Sequence, residues 1–170
     1  MTSRVLALVL VVALAGCGGA TQPPATTAAH AAALPASGQL VDPGSAAPYV
    51  VADRLRGKVV VLDFWASWCD DCRRTVPQVV RLDTGYRRTG LVVIGVNAGE
   101  AAADAKRAAA EFGIEYDIAL DPELAFSNAV GAVALPTLLV IDRDGRIVHR
   151  AAHVDEDTLA VIRSLLGVAP

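Results

Sequence analysis

The 170-residue chain is short of basic charge, with 15 Lys and Arg against 18 Asp and Glu and a formal net charge of −3. Nucleic-acid recognition requires a basic face, and this composition argues against it. The apolar run at the start, residues 5–15, is too short to span a bilayer. Only three cysteines are present, Cys17, Cys69 and Cys72. No second cysteine or histidine pair stands near Cys69 and Cys72, so a half zinc site there lacks its other half. No internal repeat is visible. Charged residues make up 19% of a chain that is 54% hydrophobic, and much of the apolar fraction is alanine, so the core has to come from Val, Leu and Ile strands.

The leader has one basic residue, Arg4, ahead of its apolar run, which fits the h-region of a secretory signal. The run ends in Leu14-Ala15-Gly16-Cys17. This resembles a bacterial lipobox, which implies cleavage before Cys17 and lipidation of that cysteine; the alternative is an ordinary signal with an incidental cysteine. Each buried methylene of an acyl chain adds about 0.8 kcal/mol of membrane binding. Residues 18–38 are rich in Ala, Thr, Pro and Gly and lack Asp, Glu, Lys and Arg, with His30 inside them. Such a stretch reads as a flexible tether. The expected division is a leader over 1–16, a lipidated cysteine and tether over 17–38, and one folded domain over 39–170.

Within that domain, residues 49–52 read as a short edge strand and 59–64 as a buried central strand. A helix is expected over 69–88, bent at Pro77, which lacks the N–H that the helix needs. A second apolar strand over 91–96 precedes an alanine-rich helix over 101–112 that Gly113 stops. Residues 117–120 read as a short strand, 122–130 as a short helix, and 137–141 and 147–151 as a hairpin around a turn with Gly145. Residues 155–166 form a closing amphipathic helix. This order predicts an α/β fold, a central mixed sheet with helices on both faces.

The chemistry concentrates where the central strand meets the first helix, in Asp63-Phe64-Trp65-Ala66-Ser67-Trp68-Cys69-Asp70-Asp71-Cys72. A helix N-terminus has unpaired N–H groups and a partial positive charge that stabilise a thiolate. The thiolate is the species that attacks a disulfide. A closed structural disulfide is the bland reading, but so small a loop stabilises little. Asp63 is costly inside an apolar strand unless it is neutral or partnered; the bland reading is a solvent-facing position on an edge strand.

The segment resembles the active site of the thioredoxin superfamily, through Asp63, Phe64, Trp65, Ala66, Trp68, Cys69, Cys72 and Pro77 and the later Leu135-Pro136-Thr137. Its details are similar to the extracytoplasmic, membrane-anchored TlpA/ResA-like branch, although the β extension ahead of the central strand looks shortened. The resemblance implies a thioredoxin fold and a protein disulfide oxidoreductase. It makes Cys69 the nucleophile and Cys72 the resolving cysteine. Asp63 becomes the buried acid that exchanges a proton with Cys72, with a pKa raised by burial. Pro136 becomes a cis-proline that presents the Leu135 backbone to a bound peptide, with a trans proline at the strand entry as the alternative. Trp68 is expected to line the substrate contact and Trp65 to be core. No cofactor is implied beyond the two cysteines. The implied partners are protein disulfides and dithiols, apocytochrome c cysteines among them, and a membrane electron donor. The protein is expected to be a monomer.

Asp70 and Asp71 depart from the proline that many relatives carry there. Acids beside Cys69 disfavour its thiolate, yet the helix dipole favours them. Three rivals remain. An oxidase would run electrons the other way. A peroxidase would place Pro-x-x-x-Thr/Ser-x-x before the cysteine, whereas Trp65-Ala66-Ser67-Trp68 stands there. A copper carrier would recruit His149 or His153, which otherwise read as surface residues.

Overall fold

A computed structural model describes residues 32–33, 40–49, 55 and 57–169. The leader, Cys17, His30 and residues 50–52 lie outside them. The first strands are two residues each: β1 (Ala32–Ala33), β2 (Leu40–Val41) and β3 (Pro48–Tyr49). β1 falls inside the stretch expected to be tether and adds an edge to the sheet. β3 begins one residue ahead of the expected edge strand.

The sheet is built on β4 (Val59–Trp65), whose residues are all buried. A strand covered on both faces needs apolar side chains on both, which is what the unbroken Val-Val-Val-Leu run supplies. β5 (Leu91–Ala98) lies parallel to β4 and β6 (Asp117–Asp121) parallel to β5. β7 (Thr137–Ile141) runs antiparallel on the other side of β4, and β8 (Arg146–Ala151) returns beside it. The order is β1-β8-β7-β4-β5-β6-β2-β3. The hairpin turn places Gly145 at φ 80°, as expected.

Helix α1 (Asp70–Tyr86) buries Cys72, Val76, Val79 and Leu82 along one stripe, the period that faces a helix to a core. It starts one residue later than expected, because Cys69 is its N-cap, and a 3₁₀ turn over Arg87–Thr89 replaces its last turn. α2 (Ala102–Phe112) ends at Gly113, which adopts φ 71°. α3 (Ala125–Ala129) is shorter than the expected 122–130. Leu124 sits at φ 58°, and Asp121 accepts from the N–H groups of Phe126 and Ser127, so the aspartate and not Pro122 sets the start. α4 (Glu156–Leu166) is capped by Asp155, which accepts from Thr158 N–H at 2.8 Å.

Strand alternation divides the core. Val60, Leu62 and Phe64 pack with Leu40, Leu55, Phe126 and Val130 on the α3 face. Val59 and Val61 pack with Val79, Leu82 and Ile162 on the face that α1 and α4 cover. Trp65 joins Cys69, Cys72 and Val76 at the start of α1 and Ala108, Ala109 and Phe112 of α2. Helices on both faces of a mixed sheet are the architecture that the sequence predicts.

Candidate active site

The end of β4 delivers the chain to α1 through Ala66, Ser67 and Trp68. Cys69 and Cys72 are joined in a disulfide, with Cα atoms 5.2 Å apart. The Cys72 N–H donates to Cys69 Sγ at 3.1 Å. The first-turn amide that would stabilise a thiolate therefore already points at this sulfur. Cys69 is 6% exposed and Cys72 is fully buried, so an incoming group reaches Cys69 first.

Glu100 clamps the connecting loop. Its Oε2 accepts from the Ser67 N–H and from Asn97 Nδ2, both at 2.7 Å, and its Oε1 accepts from the Ser67 hydroxyl. Carboxylate hydrogen bonds of this kind are stronger than neutral ones, and they tie the loop before Cys69 to the end of β5. Nothing in the spacing of Glu100 from Cys69 marks it for this task.

Asp63 is 1% exposed and sits in a strand flanked by β5 and β7, which removes the edge-strand alternative. It shares the α1 face of β4 with Val61 and Trp65. Burial pushes its carboxyl up to about 6, against a partial downward pull from the Tyr116 hydroxyl. That hydroxyl donates to Asp63 Oδ2 at 2.6 Å. Tyr116 itself is pushed well above the ordinary tyrosine range, first by burial and then by the Asp63 charge. Tyr116 lies 53 residues from Asp63 in sequence, so only the β5–β6 crossover brings the two together.

Trp65 is buried as expected and packs on Phe112 with ring centroids 5.8 Å apart. The Arg73 guanidinium lies over the other ring of this pair, 4.5 Å from the Phe112 centroid. Trp68 is 68% exposed beside Cys69 in sequence, so it offers an apolar surface next to the disulfide. The Leu135–Pro136 bond is cis. Leu135 is half-buried and packs against the cluster that contains Cys69, Cys72 and Trp65, which brings the proline loop to the disulfide.

Asp71 pairs with Arg74 on the exposed side of α1, and Asp70 is exposed beside it. His149 is half-buried and contacts Thr158 Oγ1 through Nε2 at 3.0 Å, while His153 is exposed. The expected surface position holds for His153; His149 instead supports the start of α4. Among the described residues no group of three or more His, Cys, Asp or Glu side chains is placed to hold a metal ion.

A strand-to-helix Cys-x-x-Cys disulfide, a cis-proline loop packed beside it and this sheet order place the chain in the thioredoxin superfamily. More narrowly, it belongs to the Redoxin family, whose profile matches residues 25–166. It is 36% identical over 92 residues to the thiol-disulfide oxidoreductase ResA of Geobacillus thermodenitrificans, an alignment covering 54% of this chain and 53% of that one. It is 40% identical over 100 residues to Protein DipZ of Mycobacterium bovis, covering 56% of this chain and 14% of that one. The chain thus spans about half the length of the ResA relatives it matches. Among solved structures, a thiol-disulfide isomerase from Corynebacterium glutamicum superposes with a TM-score of 0.65 at 25% identity, covering 82% of this chain and 98% of that one. A thiol:disulfide interchange protein from a Bacteroides species superposes with a TM-score of 0.70 at 23% identity, covering 83% and 92% respectively, and supports the fold alone.

Proposed function

We propose that the protein is an extracytoplasmic thiol-disulfide oxidoreductase that reduces disulfides in partner proteins. The observation that carries this reading is the disulfide at the start of α1, with Cys69 the slightly exposed sulfur of the two and Cys72 fully buried. In the reduced protein the Cys69 thiolate attacks a partner disulfide. One Cys69–partner disulfide forms and one partner thiolate leaves. Cys72 then loses its proton to Asp63 and attacks Cys69 Sγ, which releases the second partner thiolate. Two electrons pass to the partner, and the protein is left as the Cys69–Cys72 disulfide. A membrane dithiol carrier restores it.

Trp68, Leu135 and Pro136 form the partner-facing surface in this reading. The apolar face of Trp68 and the backbone of Leu135 receive an extended peptide around its disulfide. Exported proteins, apocytochromes c among them, are the substrates the family likeness suggests. Lipid on Cys17 holds the chain at the outer face of the membrane, and no helix among the described residues is long and apolar enough to cross one.

The reduction potential of the Cys69–Cys72 couple tests the direction. A value near that of thioredoxin, about −270 mV, is expected for a reductase; a value near that of DsbA, about −120 mV, would make the protein an oxidant and reverse the reading. Replacing the resolving cysteine checks the order of attack. Cys72→Ser should accumulate a stable mixed disulfide with a peptide disulfide, visible by mass spectrometry, while Cys69→Ser should form none.

A further inference from the structure

Tyr116 has no part in the disulfide exchange just described, yet its hydroxyl is buried and has one hydrogen-bond partner among the described residues, Asp63 Oδ2. A buried hydroxyl is costly without a partner, and packing alone would be served by phenylalanine. The surroundings are shaped to admit the ring. Gly95 pairs with Asp63 in the β4–β5 register, and a Cβ there would stand 2.9 Å from both Tyr116 Cε2 and Trp65 Nε1. The absent side chain of Gly95 is the space through which Tyr116 reaches β4. The Tyr116 hydroxyl engages Oδ2 of the Asp63 carboxylate and not Oδ1.

We infer that Tyr116 is a positioning residue for the Cys72 proton step, tying one oxygen of Asp63 in place and leaving the other to take the proton. The inference rests on the role proposed above for Asp63. The hydroxyl stays protonated through the working pH range, so it is a permanent donor to the carboxylate and never competes for the Cys72 proton. A donor to the charged form favours ionisation, which opposes the burial of Asp63 and keeps it able to act as a base near neutrality. The other ionisable groups nearby are few. Cys72 of α1 packs with Trp65, which lies two residues from Asp63 on the same face of β4. Asp83, farther along α1, adds to the upward push on Tyr116, and Glu115 and Asp117, on either side of Tyr116, act on Asp83. β5 and β7 present Gly95 and Leu138 beside Asp63, neither of them charged.

The experiment compares the parent, Tyr116→Phe, Asp63→Asn and the double variant. Two quantities are followed against pH. One is the rate at which a mixed disulfide between Cys69 and a model thiol resolves; the other is the Asp63 carboxyl titration by carbon NMR of the oxidised protein. Losing a hydrogen bond to a charged group moves a titration by about one to two pH units. Tyr116→Phe is therefore expected to shift both the Asp63 titration and the inflection of the rate profile to higher pH by that amount. In the Asp63→Asn background it is expected to change nothing further in the profile. Unshifted curves in Tyr116→Phe, or an equal shift with and without Asp63, would overturn the inference. If Asp63→Asn itself leaves the resolution profile as in the parent, the proton role of Asp63 fails, and the inference falls with it. The NMR titration still separates that failure from a missing Tyr116–Asp63 interaction.

Discussion

Asp63 is where burial of a single carboxyl carries an energetic cost. Its carboxyl goes from an ordinary value of 3.8 to about 6 on folding. The folded protein holds this proton more tightly than the unfolded chain. The associated stability is full below pH 3.8 and is lost as pH rises through about 6. Asn at this position cannot ionise and removes that slope. Asp63→Asn should exceed the parent in stability by about 3 kcal/mol at pH 8, and by little near pH 4. Urea unfolding of the oxidised proteins at the two pH values checks this; equal gaps at both would contradict a buried, titrating carboxyl. At this scale the sequence was informative about residue types and silent about their neighbours. Cys69, Cys72, Asp63 and Pro136 stand out in the chain because each is expensive or unusual where it occurs. Tyr116 and Glu100 do not, because a tyrosine ahead of a strand and a glutamate after one are ordinary, and only the strand order gives them partners.

The elements meet at the site through one close approach, β5 against β4 at Gly95. An alanine there has no space, since its Cβ would press on the Trp65 indole and the Tyr116 ring. Inserting a methyl into a packed interior costs about 1–3 kcal/mol. Gly95→Ala is expected to lower stability by that amount and to displace the Tyr116 hydroxyl from Asp63, read as a lower thermal midpoint together with an altered Asp63 titration. The strands of this sheet follow from their composition: runs such as Val59-Val60-Val61-Leu62 have no other stable environment than a sheet covered on both sides. Helix ends were less legible. α3 begins where Asp121 offers its carboxylate to Phe126 and Ser127, and that capping aspartate belongs to the preceding strand. α1 begins at Asp70, one residue past Cys69, because the Cys69 sulfur caps it by receiving a first-turn amide, which no propensity scale anticipates.

For the whole molecule, the proposed anchor makes a separable prediction. In cells expressing the full chain, the protein should sediment with membranes and release into the soluble extracytoplasmic fraction when Cys17 is replaced by Ala, with the Cys69–Cys72 chemistry of the folded domain unchanged. Membrane retention of Cys17→Ala would count against lipidation at that residue. The sequence by itself determined the α/β alternation, the central strand and the redox pair, because hydrophobic period and a Cys-x-x-Cys at a helix start are local properties of the chain. The tertiary structure alone decided that β1 closes the β8 edge, that Glu100 holds the loop before Cys69, and that Tyr116 holds Asp63. Those contacts join residues far apart in sequence, and their partners exist only once the parallel crossovers from β4 to β5 and from β5 to β6 have set the strands side by side.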